Sequence, residues 1–203
     1  MGSRRGGIAA VVLCASVVST ASAQQSTEVG AMVGGAFSRF RGADKGDFDQ
    51  TKVGIAAGGF VTWGFTPRFA VQPEVLLVQK GGKNDLDEES FRISYIEVPV
   101  LLKYRIPAEG NGKLFSPHAY GGGALAFKIG CTAKSLTTTT DCEAVGDDIE
   151  STDFSLVFGA GVDIGRAMID ARYDLGLTKI EKEVDVKNGT FYLLAGWTFR
   201  SPR

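Results

Sequence analysis

Residues 167–178 read AMIDARYDLGLT, and the order of residue types in this stretch decides the fold. The odd positions Ala167, Ile169, Ala171, Tyr173, Leu175 and Leu177 are apolar or aromatic, while the even positions include Asp170, Arg172 and Asp174. A period of two puts successive side chains on opposite faces of a strand, so one face is apolar and the other holds three ionised groups in mid-strand. A water-soluble sandwich buries the apolar face and exposes the charged one. A membrane barrel does the reverse, apolar outward and polar inward. Alternation alone does not choose between them.

The pattern recurs along the chain. With 167–178, the segments 28–40, 51–64, 69–80, 91–105, 115–129, 153–164 and 189–199 make eight. In 69–80 the odd face is Phe69, Val71, Pro73, Val75 and Leu77, against Gln72, Glu74 and Lys80 on the even face. In 91–105 the even face is Ile96, Val98, Val100, Leu102 and Tyr104, against Glu97, Lys103 and Arg105. Two further features select the membrane barrel. Trp63, Phe69, Tyr104, Phe115, Trp197 and Phe199 fall at strand ends that share one rim; Phe37, Phe127, Phe154 and Phe191 fall near the other. All ten have the apolar parity, as two aromatic girdles around a lipid-facing band require. The connections 41–50, 81–90, 130–152 and 179–188 are long, 65–68 and 165–166 are short, and 106–114 is intermediate. Long loops at one end and short turns at the other fit an outer-membrane barrel with both termini on the periplasmic side. In hydrocarbon an unpaired backbone group costs several kcal/mol, so the sheet must close. The expected fold is all-β: an eight-stranded antiparallel up-and-down transmembrane β-barrel.

Composition agrees. Of 203 residues 27 are Gly, as a tightly curved sheet favours, and 22 Lys+Arg against 23 Asp+Glu leave a net charge of -1, which excludes a basic nucleic-acid-binding surface. One His, His118, excludes a His-rich metal site, and no cofactor or metal is expected. Arg4 and Arg5, the apolar run from Ile8 to Val18 and Ala21-Ser22-Ala23 have the three parts of a secretory signal, predicting a signal peptide over 1–23 and an outer-membrane barrel domain over 24–203. Cys131 and Cys142 then remain, 11 positions apart in a Thr/Asp-rich stretch, and are candidates for a loop disulfide in an oxidising compartment.

Several stretches resemble the outer membrane protein beta-barrel family, the PorT-like "porin family" proteins. They are Gln72-Pro73-Glu74-Val75-Leu76-Leu77 with Lys80-Gly81, Tyr95-Ile96-Glu97-Val98-Pro99-Val100-Leu101-Leu102-Lys103-Tyr104, Phe158-Gly159-Ala160-Gly161-Val162-Asp163, and Arg172-Tyr173 with Gly176-Leu177. The resemblance implies an eight-stranded outer-membrane barrel and no general biochemical activity. The last strand, with Phe191, Leu193, Ala195, Trp197 and Phe199 alternating, looks like an assembly signal, although Arg200 to Arg203 follow its final aromatic. Pro73 and Pro99 lie inside strands, where proline removes a ladder donor, and are expected to mark bulges.

The functional candidates lie inside. Six cations (Lys52, Lys80, Lys103, Arg105, Lys128, Arg172) and six anions (Glu74, Glu97, Asp153, Asp163, Asp170, Asp174) have inward parity. Such a balance predicts an ion-pair plug rather than a ring of one sign. The candidate interior cluster is Glu74, Glu97, Lys103, Arg105, Asp170, Arg172 and Asp174, centred on Glu74, Glu97 and Arg172, with the two acids at about one height and Arg172, Lys103 or Arg105 to supply a cation across the lumen. His118, beside Ser116, reads as a polar core residue, and no enzyme is expected. Loop 130–152 carries five acids against Lys134, and loops on a rigid scaffold are where recognition sits. The expected role is structural or loop-mediated interaction in the bacterial outer membrane. Its partners are outer-membrane lipid, the barrel-assembly machinery and an extracellular ligand. The alternatives are a small gated pore and a soluble lipocalin-like ligand-binding barrel.

Overall fold

The computed structural model describes residues 26–41, 50–83, 90–107, 115–134, 139–141, 151–178 and 187–200. The expected leader 1–23 and Cys142 lie outside them. The strands are β1 (Ser26–Arg41), β2 (Gln50–Gly64), β3 (Phe69–Lys83), β4 (Ser90–Arg105), β5 (Phe115–Lys134), β6 (Thr139–Asp141), β7 (Thr152–Ile164), β8 (Ala167–Gly176) and β9 (Lys187–Arg200). Each long strand pairs antiparallel with the next, and β1 pairs with β9, for example Phe37 opposite Phe191. The sheet therefore closes on eight strands. β6 adds only a three-residue extension to the far end of β5, Thr132 facing Asp141.

Polarity is inverted relative to a soluble protein. Val33, Ile55 and Leu77 on the outer wall are 55%, 60% and 57% exposed, whereas their neighbours Met32, Ala56 and Leu76 face inward and are buried. A barrel with this wall cannot be water-soluble in its monomeric form, and the lipocalin-like alternative is excluded. At the short-turn end Trp63, Phe69, Phe115, Trp197 and Phe199 are exposed on the outer wall, with Phe69 packed on the half-buried Tyr104 at 5.1 Å between ring centroids. Phe37, Phe127, Phe154 and Phe191 are exposed at the other end, and Phe37 meets Phe191 at 6.3 Å.

Local chemistry fixes the short turns. Thr66 accepts the Phe69 N–H at 2.8 Å and closes the β2–β3 turn. The β7–β8 turn has two residues, and its first, Gly165, sits at φ 63°, a conformation that glycine reaches without a Cβ penalty.

The prolines behave differently from expectation. The register is continuous through Pro73 (opposite Val100) and Pro99 (opposite Ala124), so neither marks a bulge. The cost is a local gap in the bridging pattern instead. Pairing skips residues 61–62 of β2 alongside Pro73, and residues 74–75 of β3 alongside Pro99. The register shifts lie elsewhere, between Val29 and Gly30, Thr51 and Ala56, and Ser94 and Tyr95.

Candidate functional site

The interior is built from charged side chains that alternation drives inward, and small residues make room for them. Gly159 and Gly161 on β7 have inward parity. A Cβ at Gly159 would lie 2.8 Å from both the Tyr120 ring and Arg172 Cβ, and one at Gly161 would run into Asp170 Oδ1. The glycines thus carry the volume of the charged residues opposite.

Three groups of polar contacts stack along the axis. At mid-barrel, Arg172 on β8 reaches across the lumen to Glu74 on β3. Its Nη1 donates to Oε2 at 2.7 Å and its Nη2 to Oε1 at 3.2 Å. Gln72 Nε2 donates to the same carboxylate at 2.8 Å, and Gln72 Oε1 accepts from the Thr62 hydroxyl at 2.8 Å. Arg172 also lies over the Tyr120 ring at 5.4 Å and against Met32 Sδ. A bidentate guanidinium–carboxylate pair fixes geometry as well as charge.

Toward the long-connection end, Lys80 pairs with Glu97 at 2.5 Å and lies 3.9 Å from Asp174. Asn188 donates to Asp153 at 2.8 Å. Thr190 stands directly opposite Asp174 on β9. Glu97 Oε1, both Asp174 oxygens, Thr190 Oγ1 and Tyr192 Oη are buried here with no hydrogen-bond partner. Buried groups of this kind are ordinarily satisfied by internal water.

Toward the short-turn end, His118 on β5 sits between two carboxylates. Nε2 is 2.7 Å from Asp170 and Nδ1 is 3.2 Å from Asp163. Lys103 reaches Asp163 at 3.3 Å, and Tyr120 stacks on the imidazole at 5.9 Å. Nε2 is the nitrogen at hydrogen-bond distance from a carboxylate, while Nδ1 is buried facing Asp163.

The structure therefore divides the expected cluster. Glu74 and Glu97 are not at one height and do not share Arg172. Leu76, not Glu74, faces Glu97, which offsets the two carboxylates by two residues along β3. Arg172 serves Glu74, and Lys80 serves Glu97. Lys103 and Asp170 belong to the His118 group, and Asp174 to the Lys80 group. Arg105 is not in the buried interior at all. It is half-buried at the end of β4, 3.4 Å from Glu28. Lys80, Asp163 and Asp153 have the inward parity that the sequence shows. Their partners, and the place of His118 between two acids, depend on strand register, which has no local sequence signal: His118 faces Gly161, and Gly161 faces Asp170. Cys131 is disulfide-bonded and packs against Ile93, Tyr95 and Ala126.

The sequence profile of a family described as "Outer membrane protein beta-barrel domain" matches residues 22–182. Comparison with curated proteins gives no match. Among solved structures, the chain is similar to Neisserial surface protein A (NspA) at 12% identity, covering 84% of this chain and 97% of that one, with a TM-score of 0.51. It is also similar to Ail, the attachment invasion locus protein of Yersinia pestis, crystallised with the heparin analogue sucrose octasulfate. That match has 21% identity, 85% and 99% coverage and a TM-score of 0.47. For OprG from Pseudomonas aeruginosa the values are 14%, 87% and 95%, and 0.45. At these identities the likeness to NspA speaks to the fold alone.

Proposed function

The chain belongs to the outer membrane protein beta-barrel domain family, and from that premise we propose that it is a sealed outer-membrane barrel that acts through its loops rather than through its lumen. The observation that carries this is the burial of the interior charges. Glu97 and Asp170 are 0% exposed, and Glu74 and Arg172 are 1% exposed. A water-filled pore would wet its lining charges. Here the Arg172–Glu74 clasp crosses the middle of the lumen instead. With the lumen closed, recognition falls to the long connections, and the strand ends hold these on a rigid frame. The apolar wall between the aromatic belts faces lipid. The long connections face outward, and the role is non-enzymatic.

Planar-bilayer conductance of the refolded full chain tests the sealed reading. Folded protein is expected to add no steady current. A reproducible, salt-dependent conductance would overturn it in favour of a small pore.

A further inference from the structure

The outer wall carries one cationic group that the sealed barrel does not use. Arg39 and Arg41 on β1 and Lys187 on β9 all have the outward parity of the apolar wall. In register, Arg41 stands directly opposite Lys187, and Arg39 opposite Gly189. Like charges opposite one another in a sheet destabilise it, so this placement calls for an anion. No ion pair among the described residues supplies one. Among the described residues, the outward neighbours on the adjoining strands are uncharged: Thr51 on β2, and Tyr173 and Leu175 on β8.

The group is also shaped. Gly189 leaves a gap between strands that two polar side chains enter. A Cβ at Gly189 would lie 2.6 Å from Tyr173 Oη and 2.9 Å from Arg41 Nε. Arg41 Nε is buried there with no hydrogen-bond partner. A hydroxyl and a guanidinium thus flank one point, and Arg39 and Lys187 stand in register with Gly189 and Arg41 there. Guanidinium groups bind phosphate through paired N–H donors.

Height identifies the occupant. Phe37 and Phe191 form the belt directly below, and Tyr173 stands opposite Phe191 and packs on Phe158 at 5.8 Å. Arg39 and Arg41 are two and four residues beyond Phe37. That places them about 5–10 Å above the belt along a tilted strand. The polar head-group layer of a bilayer leaflet is about 5–8 Å thick. We infer that Arg39, Arg41, Lys187 and Tyr173 bind the phosphate of a phosphorylated lipid head group in the outer leaflet. The inference rests on the orientation proposed above, with the long connections outward.

The test is thermal unfolding of the full chain in detergent micelles, titrated with bisphosphorylated lipid A, dephosphorylated lipid A and inorganic phosphate. Bisphosphorylated lipid A is expected to raise Tm saturably, and the other two are expected to leave it unchanged. In the variant R39Q/R41Q/K187Q the apparent affinity should fall roughly a hundredfold, from the loss of three surface cations near the head group. Its Tm without lipid should be no lower than that of the parent, since the substitutions relieve repulsion. The exposed arginines of the opposite end, in R68Q/R166Q, should not matter. Undiminished affinity in both variants overturns the site and leaves the orientation standing. Loss in R68Q/R166Q alone overturns the orientation, and the site with it. An equal response to inorganic phosphate overturns the lipid assignment in favour of a free-anion site.

Discussion

Arg172 and Glu74 are 98 residues apart in the chain and meet at 2.7 Å in the middle of the barrel. Both are buried, so the pair is sensitive to the loss of either partner. Glu74→Gln keeps the shape and removes the charge, leaving Arg172 with no other carboxylate at ion-pair distance among the described residues. Breaking a buried pair costs about 3–5 kcal/mol. Glu97→Gln should cost less, about 1–3 kcal/mol, because Lys80 keeps Asp174 at 3.9 Å. Urea unfolding of both variants in lipid vesicles measures the difference, and equal losses would contradict this assignment of partners. Sequence reading reaches only part of this. Parity shows that Glu74, Glu97, Lys80 and Arg172 point inward, because alternation is a local property. Which cation meets which acid is not local. A two-residue offset between β3 and β4 separates the two carboxylates, and the register follows from turns and ladder shifts rather than from the charged residues themselves.

At the scale of the element, the strands are legible wherever lipid enforces alternation. The segments 51–64 and 153–164 differ by one residue from β2 and β7. Legibility ends above the aromatic belt. β5 continues to Lys134 and pairs with β6, where Thr132, Ala133 and Lys134 show no apolar period. Backbone pairing persists there without the alternation that lipid enforces lower on the strand. Glycines within the wall divide in the same way by what they face. Gly161→Ala would push a methyl into Asp170 Oδ1, which already holds His118. Overpacking of this kind costs about 1–3 kcal/mol. Gly123→Ala would meet the Phe154 ring at 3.4 Å, an ordinary contact, and should change stability by less than about 0.5 kcal/mol. Denaturant midpoints of the two variants check the contrast, and similar losses would mean that the inward glycines are not there to house the charged side chains.

Over the whole molecule, the Arg172–Glu74 clasp separates a lower polar group around His118 from an upper one around Lys80, Glu97 and Asp174. The lower group is balanced, and the upper one holds more acid than base. Asp163 and Asp170 face His118 and Lys103 below, and Glu97, Asp174 and Asp153 accompany Lys80 above. Removing the clasp as a pair leaves no unpaired charge behind, so the variant E74A/R172A should still refold. It also deletes the two side chains that meet across the centre, one of them the largest fully buried side chain in the barrel. The buried charges left along a lumen joined in this way are Glu97, Asp153, Asp170 and Asp174 against Lys80, Lys103 and His118, an excess of acid. Such a lining favours cations. E74A/R172A is therefore expected to conduct where the parent is silent, with a reversal potential in a KCl gradient displaced toward that of potassium. A folded but silent double variant would mean that the apolar cluster containing Met32, Phe60 and Leu76 seals the barrel without help from the charges. Anion selectivity would mean that the lower and upper acids are neutralised in place and that the two lysines set the field.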